Sequence, residues 1–421
     1  MSLTNDRAVD SEIRAAPLRE RGFRDWRSVL TAVGAGILLL SVVRVITGAE
    51  ALTSAGTVGA ALGATVPIAM AGLGGLWSER SGVVNIGLEG MMILGTFGAG
   101  WIGWQHGPWA GLVTGVAFGA VGGLVHAIAT VTFGVDHIVS GVAVNILGLG
   151  VTRFLASILL EGTPGGGSTQ SPPIQPVGSF SVPGFSSLDT VEKKHWLLVS
   201  DVAGVVRGVT TNLSYLTIIA LLLVLLTYLV LWRTAFGLRL RSCGEDPYTA
   251  ESLGVNVYRY KYAGVLMSGA LAGFGGAFLA IVAANIYREG QTGGRGYIGL
   301  AAMIFGNWRP GGLLAGAGLF GYTDALQLRS AAAVHALLLI IAVALLGGAA
   351  WQAWRRRFVS AAVLAVIGAG LLAWYLRTDS LPGQVTFVAP YVTTLLVLAV
   401  ASQRLRMPKA DGQIYRRGQG R

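Results

Sequence analysis

Apolar stretches long enough to cross roughly 30 Å of hydrocarbon recur from one end of this chain to the other. They run approximately from Val29 to Ile46, Gly56 to Leu76, Val83 to Trp104, Trp109 to Val131 and Ile138 to Leu160. After a polar gap they resume from Tyr215 to Trp232, Tyr262 to Ile286, Val334 to Ala350, Val359 to Leu376 and Val385 to Ala401. The pattern predicts an all-α polytopic membrane protein of about ten transmembrane helices. Composition agrees: 53% of the 421 residues are hydrophobic and only 12% are charged, where a soluble protein needs about a quarter charged to cover its surface. Disorder, a secreted disulfide scaffold and a nucleic-acid partner are all disfavoured. The lone cysteine, Cys243, has no intrachain partner and says nothing of redox compartment.

The net charge of +11 sits in short segments flanking the apolar runs, which is how orientation is encoded in a membrane protein. Four such segments are expected in the cytoplasm. They are the tail with Arg14, Arg19, Arg21, Arg24 and Arg27; the stretch from Arg233 to Lys261 with Arg239, Arg241 and Arg259; the block Arg355, Arg356 and Arg357; and the C-terminus with Arg404, Arg406, Lys409, Arg416 and Arg417. The Gly/Pro/Ser-rich gap from Glu161 to Asn212 holds only Lys193, Lys194 and Arg207 against four acids, and is expected outside. Met1 to Arg27 is too long and too mixed in charge for a secretory peptide. The expected division is a cytoplasmic tail over 1–28, a transmembrane domain over 29–402 with an external loop at 161–213 and a cytoplasmic loop at 233–261, and a cytoplasmic tail over 403–421.

Counting crossings isolates one irregular segment. With Lys261 and the Arg355 block both inside, everything between the Tyr262 and Val334 helices must return to the side it left. The apolar stretch from Tyr297 to Tyr322 is broken by Asn307-Trp308-Arg309-Pro310-Gly311-Gly312 into halves of about ten residues, each roughly 15 Å long at helical rise and too short to span. A re-entrant half-helix pair near 297–322 satisfies both constraints; a single kinked span with a rule-breaking basic loop is the alternative. Elsewhere, Gly111, Gly115, Gly119 and Gly123 fall every four residues, a bare ridge that lets helix backbones approach closely in lipid.

No lysine lies in a G-x-x-x-x-G-K-[ST] frame, no H-E-x-x-H or cysteine cluster suggests a metal, and no G-x-S-x-G elbow is present. No catalytic residue, metal or cofactor is expected, and any ATP hydrolysis belongs to another chain. The loop from Phe236 to Gly254 is more informative. Asp246 suits an N-cap, Pro247 the first helical position and Gly254 the stop after the last turn, which predicts a helix of about two turns between two spans. So short a helix is marginal in water. It rests on the membrane face as a connector, or it plugs into a partner.

The same loop, with Gly244, Glu245, Asp246, Pro247, Ala250, Leu253 and Gly254, resembles the cytoplasmic coupling loop of ABC-importer permeases of the branched-chain amino acid, ribose and nucleoside branch. The stretch from Gly75 to Met92 (GLWSERSGVVNIGLEGMM), that from Asp136 to Asn145 (DHIVSGVAVN) and that from Ala302 to Pro310 (AMIFGNWRP) are similar to nucleoside-type members. These patches lie in order within a stretch from about Gly56 to Gln327, roughly two-thirds of the chain, and the resemblance fades beyond Ala331. It implies the transmembrane subunit of an ATP-driven importer in a bacterial plasma membrane, working by alternating access. It also implies three partners: a cytoplasmic ABC ATPase docked on the 233–261 loop, a second and non-identical permease subunit, and an extracytoplasmic substrate-binding lipoprotein. The substrate it implies is a nucleoside, with ribose or another monosaccharide as runner-up. From a different class, an ion-gradient-driven secondary transporter would want paired broken helices in inverted repeats, and only one broken segment is apparent.

Polar residues within spans are the candidates for the translocation path. Asn85 and Glu89, four apart, are expected to share a helix face; Glu89 lines the path or pairs with Arg80 or a neighbouring helix. Asn145 and Asn285 contact substrate or tie helices together. Asn307 and its half-helix termini present dipole ends to the path. Asp136 reads as an N-cap beside His137, Trp101, Trp104 and Trp109 as an interfacial belt, and Asp324 has no assigned role.

Overall fold

A computed structural model describes residues 26–386, 388 and 405–418. Nearly all of the predicted N-terminal tail, and the predicted span from Val385 to Ala401 beyond its first residues, lie outside the described residues. The fold is helical. Its helices are α1 (Trp26–Thr47), α2 (Ala55–Arg80), α3 (Leu88–His106), α4 (Pro108–Ala127, continued by a π turn over Ile128–Thr132), α5 (His137–Leu159), α6 (Asp189–Glu192), α7 (Val199–Thr210) and α8 (Tyr215–Arg233). They continue as α9 (Ala235–Glu245), α10 (Pro247–Ser252), α11 (Val257–Phe278, extended by a π turn over Leu279–Ala283), α12 (Arg295–Phe305), α13 (Pro310–Arg329), α14 (Ala331–Trp354) and α15 (Phe358–Arg377). Strands β1 (Ser179–Phe180) and β2 (Leu213–Ser214) pair antiparallel, Ser179 opposite Ser214. Among the described residues, seven helices are long and apolar enough to cross a membrane.

α2 and α11 form the centre. Both are apolar or small all round, the signature of a helix enclosed by others, and Met70, Leu73, Leu76, Ala272, Ala277 and Phe278 are fully buried. α5, α14 and α15 lie outside them, and Ile146, Phe154, Val359 and Val366 face outward, as lipid-facing positions do. The glycine ridge of α4 runs between α3 and α11. A Cβ at Gly111 would lie 2.7 Å from the Ala99 carbonyl oxygen, and one at Gly123 2.7 Å from that of Val265. At Gly119 it would strike the backbone of Gly269 and Gly273. The predicted ridge is therefore a contact surface on both flanks, met by glycines on the partner helices.

Three expectations are revised. The third span begins at Leu88, not Val83: Gly82 has φ +84°, which turns the chain, and the linker that follows is not helical. Asn85 therefore lies outside α3 and shares no helix face with Glu89. The segment broken at Asn307 has unequal halves, 11 residues in α12 and 20 in α13, because the Gly-rich start of α13 stays helical once Pro310 occupies its first position. The 161–213 loop is also more than a polar gap. Within it, α7 lays Gly204 against the Thr53 carbonyl and Gly208 against that of Ala55. Asp201 takes Arg44 at 2.8 Å and the hydroxyl of Thr53, and Glu192 accepts from the Ala55 amide at 2.9 Å. This strap pins the start of α2 to the end of α1.

Candidate coupling and translocation site

The ends of α2, α8 and α11 that carry Arg80, Arg233, Arg259 and Lys261 form one basic face, and α9 and α10 lie across it. The predicted short helix is present. The Asp246 carboxylate accepts from the Thr249 amide at 3.0 Å and the Thr249 hydroxyl at 2.6 Å, which holds its pKa below the usual carboxylate range. Pro247 fills the first position, and Gly254, at φ +81°, takes the left-handed turn that glycine makes without strain. The residues before Asp246, expected as loop, form α9 instead, N-capped by Thr234 through the Gly237 amide at 3.1 Å.

The two helices present an inner and an outer side. Gly244, Pro247 and Ala250 are buried, and a Cβ at Gly244 would strike the Arg80 carbonyl. Cys243 is also buried, and burial pushes its thiol up to about 11, so it packs rather than reacts. Glu245 reaches Arg80 at 3.8 Å. Leu253, by contrast, is 78% exposed, and a Cβ at Gly254 would meet open space. An apolar tip on a rigidly capped peg faces away from the bundle.

The C-terminal tail, expected over 403–421, is docked on this peg over 405–418. The Ala410 amide donates to the Gly244 carbonyl at 2.9 Å, the Tyr415 ring packs between those of Tyr248 and Tyr258 at 5.4 and 5.3 Å, and Arg417 pairs with Glu251 at 3.3 Å. Asp411 is buried beside Glu79, and burial pushes its carboxyl up to about 7. The only sequence signal was the presence of an acid and a tyrosine among the basic residues of the tail.

Of the path candidates, Glu89 and Asn145 come together and the others disperse. Glu89 accepts from the amides of Gly294 at 2.9 Å and Gly296 at 2.7 Å. It caps the start of α12, as a carboxylate suits a helix N-terminus, and does not pair with Arg80. Asn145 accepts from the Gly90 amide at 2.7 Å and donates to the Ile86 carbonyl and the Tyr297 hydroxyl, each at 3.0 Å. It ties α5 to the start of α3 and to α12. Asn85 is fully buried, donates to the Ser268 hydroxyl at 2.8 Å and accepts from the Gly87 amide at 2.9 Å, so it fixes a linker. Asn285 lies beyond the far end of α11, at φ +54°, its carbonyl accepting from Ile174 at 2.7 Å. Asn307 sits in the turn between α12 and α13 on the basic face, where its side chain accepts from the Arg406 amide at 2.7 Å. Beside it Trp308 donates to Glu79 at 2.6 Å, and Arg80 donates to the Trp308 carbonyl at 2.7 Å. Asp136 is the expected N-cap, of α5, accepting from Ile138 and Val139.

Residues 57–347 match the family described as branched-chain amino acid transport system / permease component. The chain belongs to that family. It is a permease component, a multi-pass membrane subunit of a transport system rather than an enzyme. The permease is similar to the guanosine ABC transporter permease protein NupQ of Bacillus subtilis, 33% identical over 84% of this chain and 93% of that one. It is similar to the nucleoside ABC transporter permease protein NupC of Lactococcus lactis, 33% identical over 83% and 93%. The putative glucose ABC transporter permease protein TsgC13 of Haloferax volcanii is likewise 33% identical, over 86% and 98%. No solved structure matches.

Sequence reasoning missed the permease's ion pair between α12 and α13. Arg295, in the first turn of α12, meets Asp324 of α13 at 2.9 Å, and Gln327 donates to the other oxygen of Asp324 at 2.9 Å. Asp324 had no assigned role because the second half-helix was drawn too short to contain it. The 3-residue spacing of Asp324 and Gln327 on one helix face was the signal available.

Proposed function

We propose that this permease is the transmembrane subunit of an ATP-driven importer for nucleosides, moving substrate by alternating access coupled to a separate cytoplasmic ABC ATPase. The observation that carries the coupling reading is the capped helix α10 with Leu253 exposed at its tip. An isolated six-residue helix has little stability of its own, yet here caps, the buried Gly244–Ala250 side and the docked tail hold it rigid. A rigid peg transmits force from a partner to α8 and α11, the spans it joins. The nucleoside reading rests on the resemblance to NupQ and NupC.

The basic face lies in the cytoplasm by the excess of Lys and Arg near its helix ends, which places both termini inside and the α7 strap outside. In that frame the chain enters from the outside after α11, α12 begins at half depth as a re-entrant half-helix, and α13 returns across the whole bilayer. Backbone that is not helical at that depth is tolerated against protein, and the Glu89 cap satisfies two of its amides. The second pore subunit is a non-identical permease: two relatives from Bacillus subtilis, NupQ and the 25% identical NupP, are both named as guanosine permeases. An extracytoplasmic lipoprotein delivers substrate.

The test is uptake of labelled guanosine, adenosine, cytidine, ribose and glucose in cells with and without this gene. Loss of nucleoside uptake alone is expected. Loss of ribose or glucose uptake alone overturns the substrate, and the likeness to TsgC13 makes glucose the rival to include. For coupling, deletion of Asp246 to Leu253 is expected to reduce uptake to background and to release the ATPase from the purified complex, while the chain still reaches the membrane. Full transport by that variant would remove the docking role.

A further inference from the structure

After α11 and its π turn the chain runs without helix from Ala284 to Gly294, where α12 begins. Two contacts with α5 show how deep this linker goes. The Glu289 carboxylate pairs with Arg153, and the Tyr297 hydroxyl accepts from Asn145 at 3.0 Å. Positions 145 and 153 are eight residues apart on α5, about 12 Å at helical rise. The linker therefore descends beside a membrane span with no helical ladder of its own. One side of it is packed: Tyr287 and Thr292 are buried, and Glu89 takes the amides of Gly294 and Gly296. The other side is open. Gly290 and Gly293 are exposed, the Gly290 amide has no hydrogen-bond partner among the described residues, and Tyr297 is 47% exposed.

The strip of α5 alongside is polar as well. Asn145, Leu149 and Arg153 fall four apart on one ridge, and the Arg153 side chain stays 59% exposed while paired. Ile146 and Phe154, one residue further on, carry the apolar outward face of the same helix. Hydrocarbon cannot cover the polar strip. Irregular backbone at membrane depth occurs only against protein or beside water, and ionisable groups within spans face an interior or an aqueous cavity. A dry contact with another protein fits poorly too. It would have to bond the open Gly290 amide and desolvate the Arg153–Glu289 pair, a penalty that often exceeds the attraction between the charges.

We propose that the open side of the 284–294 linker, with the Asn145–Arg153 ridge of α5 and Tyr297, is this chain's wall of the water-filled translocation path. The proposal rests on the importer reading above and says where on this subunit the solute passes. Because α5 starts at its cytoplasmic Asp136 cap, Asn145 and Tyr297 stand deeper in the path and Arg153 and Glu289 nearer its outer mouth. Amide, phenol and ion pair together make a wall that a hydrophilic solute can follow.

The test is thiol labelling in intact cells carrying the assembled importer, with a negatively charged, membrane-impermeant methanethiosulfonate and the extent of reaction scored on the purified chain. Wild type is the blank, since its one cysteine, Cys243, is buried. Tyr297→Cys probes the deep part of the wall. Leu149→Cys probes the ridge and leaves both polar pairs intact, so it carries the test should the tyrosine variant accumulate poorly. Val366→Cys, on the outward face of α15, is the lipid control. Only the thiolate reacts, and it forms in water, so both wall variants are expected to label on the order of tenfold faster than Val366→Cys or more. Wall variants that react no faster than the control, whether lipid or a dry partner covers them, overturn the proposal. Full labelling of Leu149→Cys is also expected to abolish the nucleoside uptake that the same cells show before treatment, and uptake that survives it overturns the role in the path. Labelling needs no solute: wild-type cells that take up no nucleoside overturn the function reading, whereas slow labelling in cells that do take it up overturns this wall alone.

Discussion

Gly119→Leu is expected to prevent stable assembly of the bundle. In lipid, helices gain little from burying apolar surface against one another and depend on close packing. At Gly119 the α4 backbone lies so near Gly269 and Gly273 of α11 that even a methyl group would collide with main-chain atoms, which cannot swing aside as a side chain does. Overpacking of this kind costs about 1–3 kcal/mol for a small addition, so Gly119→Ala is expected to lower the melting temperature in detergent by several degrees. The larger residue must push α4 off α11 along its length. Gly150→Leu, on α5 where a Cβ meets open space, is the control and is expected to behave as wild type. Size-exclusion profiles and thermal inactivation of the purified chain give the comparison. Indistinguishable profiles for the two leucine variants would refute the account of the ridge.

Glu89→Ala is expected to stop transport without dismantling the bundle. The alanine leaves the buried amide of Gly296 and the part-buried amide of Gly294 without their acceptor. At about 1–3 kcal/mol for each unsatisfied buried group, together with the lost interaction between carboxylate and helix N-terminus, the start of α12 loses on the order of 3 kcal/mol. That is enough to unwind its first turn and carry Arg295 away from Asp324. Uptake is expected to fall more than tenfold, and amide exchange over 290–300 to accelerate. Glu89→Gln keeps a side-chain oxygen for one amide and should lose about half as much protection. Unchanged exchange in the alanine variant would mean that Glu89 does not hold this helix.

How much of this could be read without coordinates differs from element to element. The Asp246-Pro247 start and Gly254 stop of α10 were legible because a cap acts within three residues of itself. The spacing of Gly111, Gly115, Gly119 and Gly123 was legible because helical periodicity places them on one face whatever lies opposite. Glu89 was legible as a buried carboxylate needing a partner, but its partners are about two hundred residues away, and nothing local named the Gly294 and Gly296 amides. The contacts of Asn85 with Ser268 and Gly87 and of Asn307 with Arg406 were hidden for the same reason: a polar residue near a span end looks alike whether it lines a channel or ties down a linker.

Length, hydropathy and the placement of arginines thus determined that the chain is a bundle of membrane helices, which of its ends carries positive charge, and where a short capped helix must stand. Each of these depends on neighbours in sequence or on the thickness of the bilayer. Only the tertiary structure decided that α13 runs 20 residues, that the tail clasps α9 and α10, and that Arg295 of α12 meets Asp324 of α13. Those outcomes depend on which backbones approach closely enough to exchange hydrogen bonds, and that is set by the packing of all the helices together.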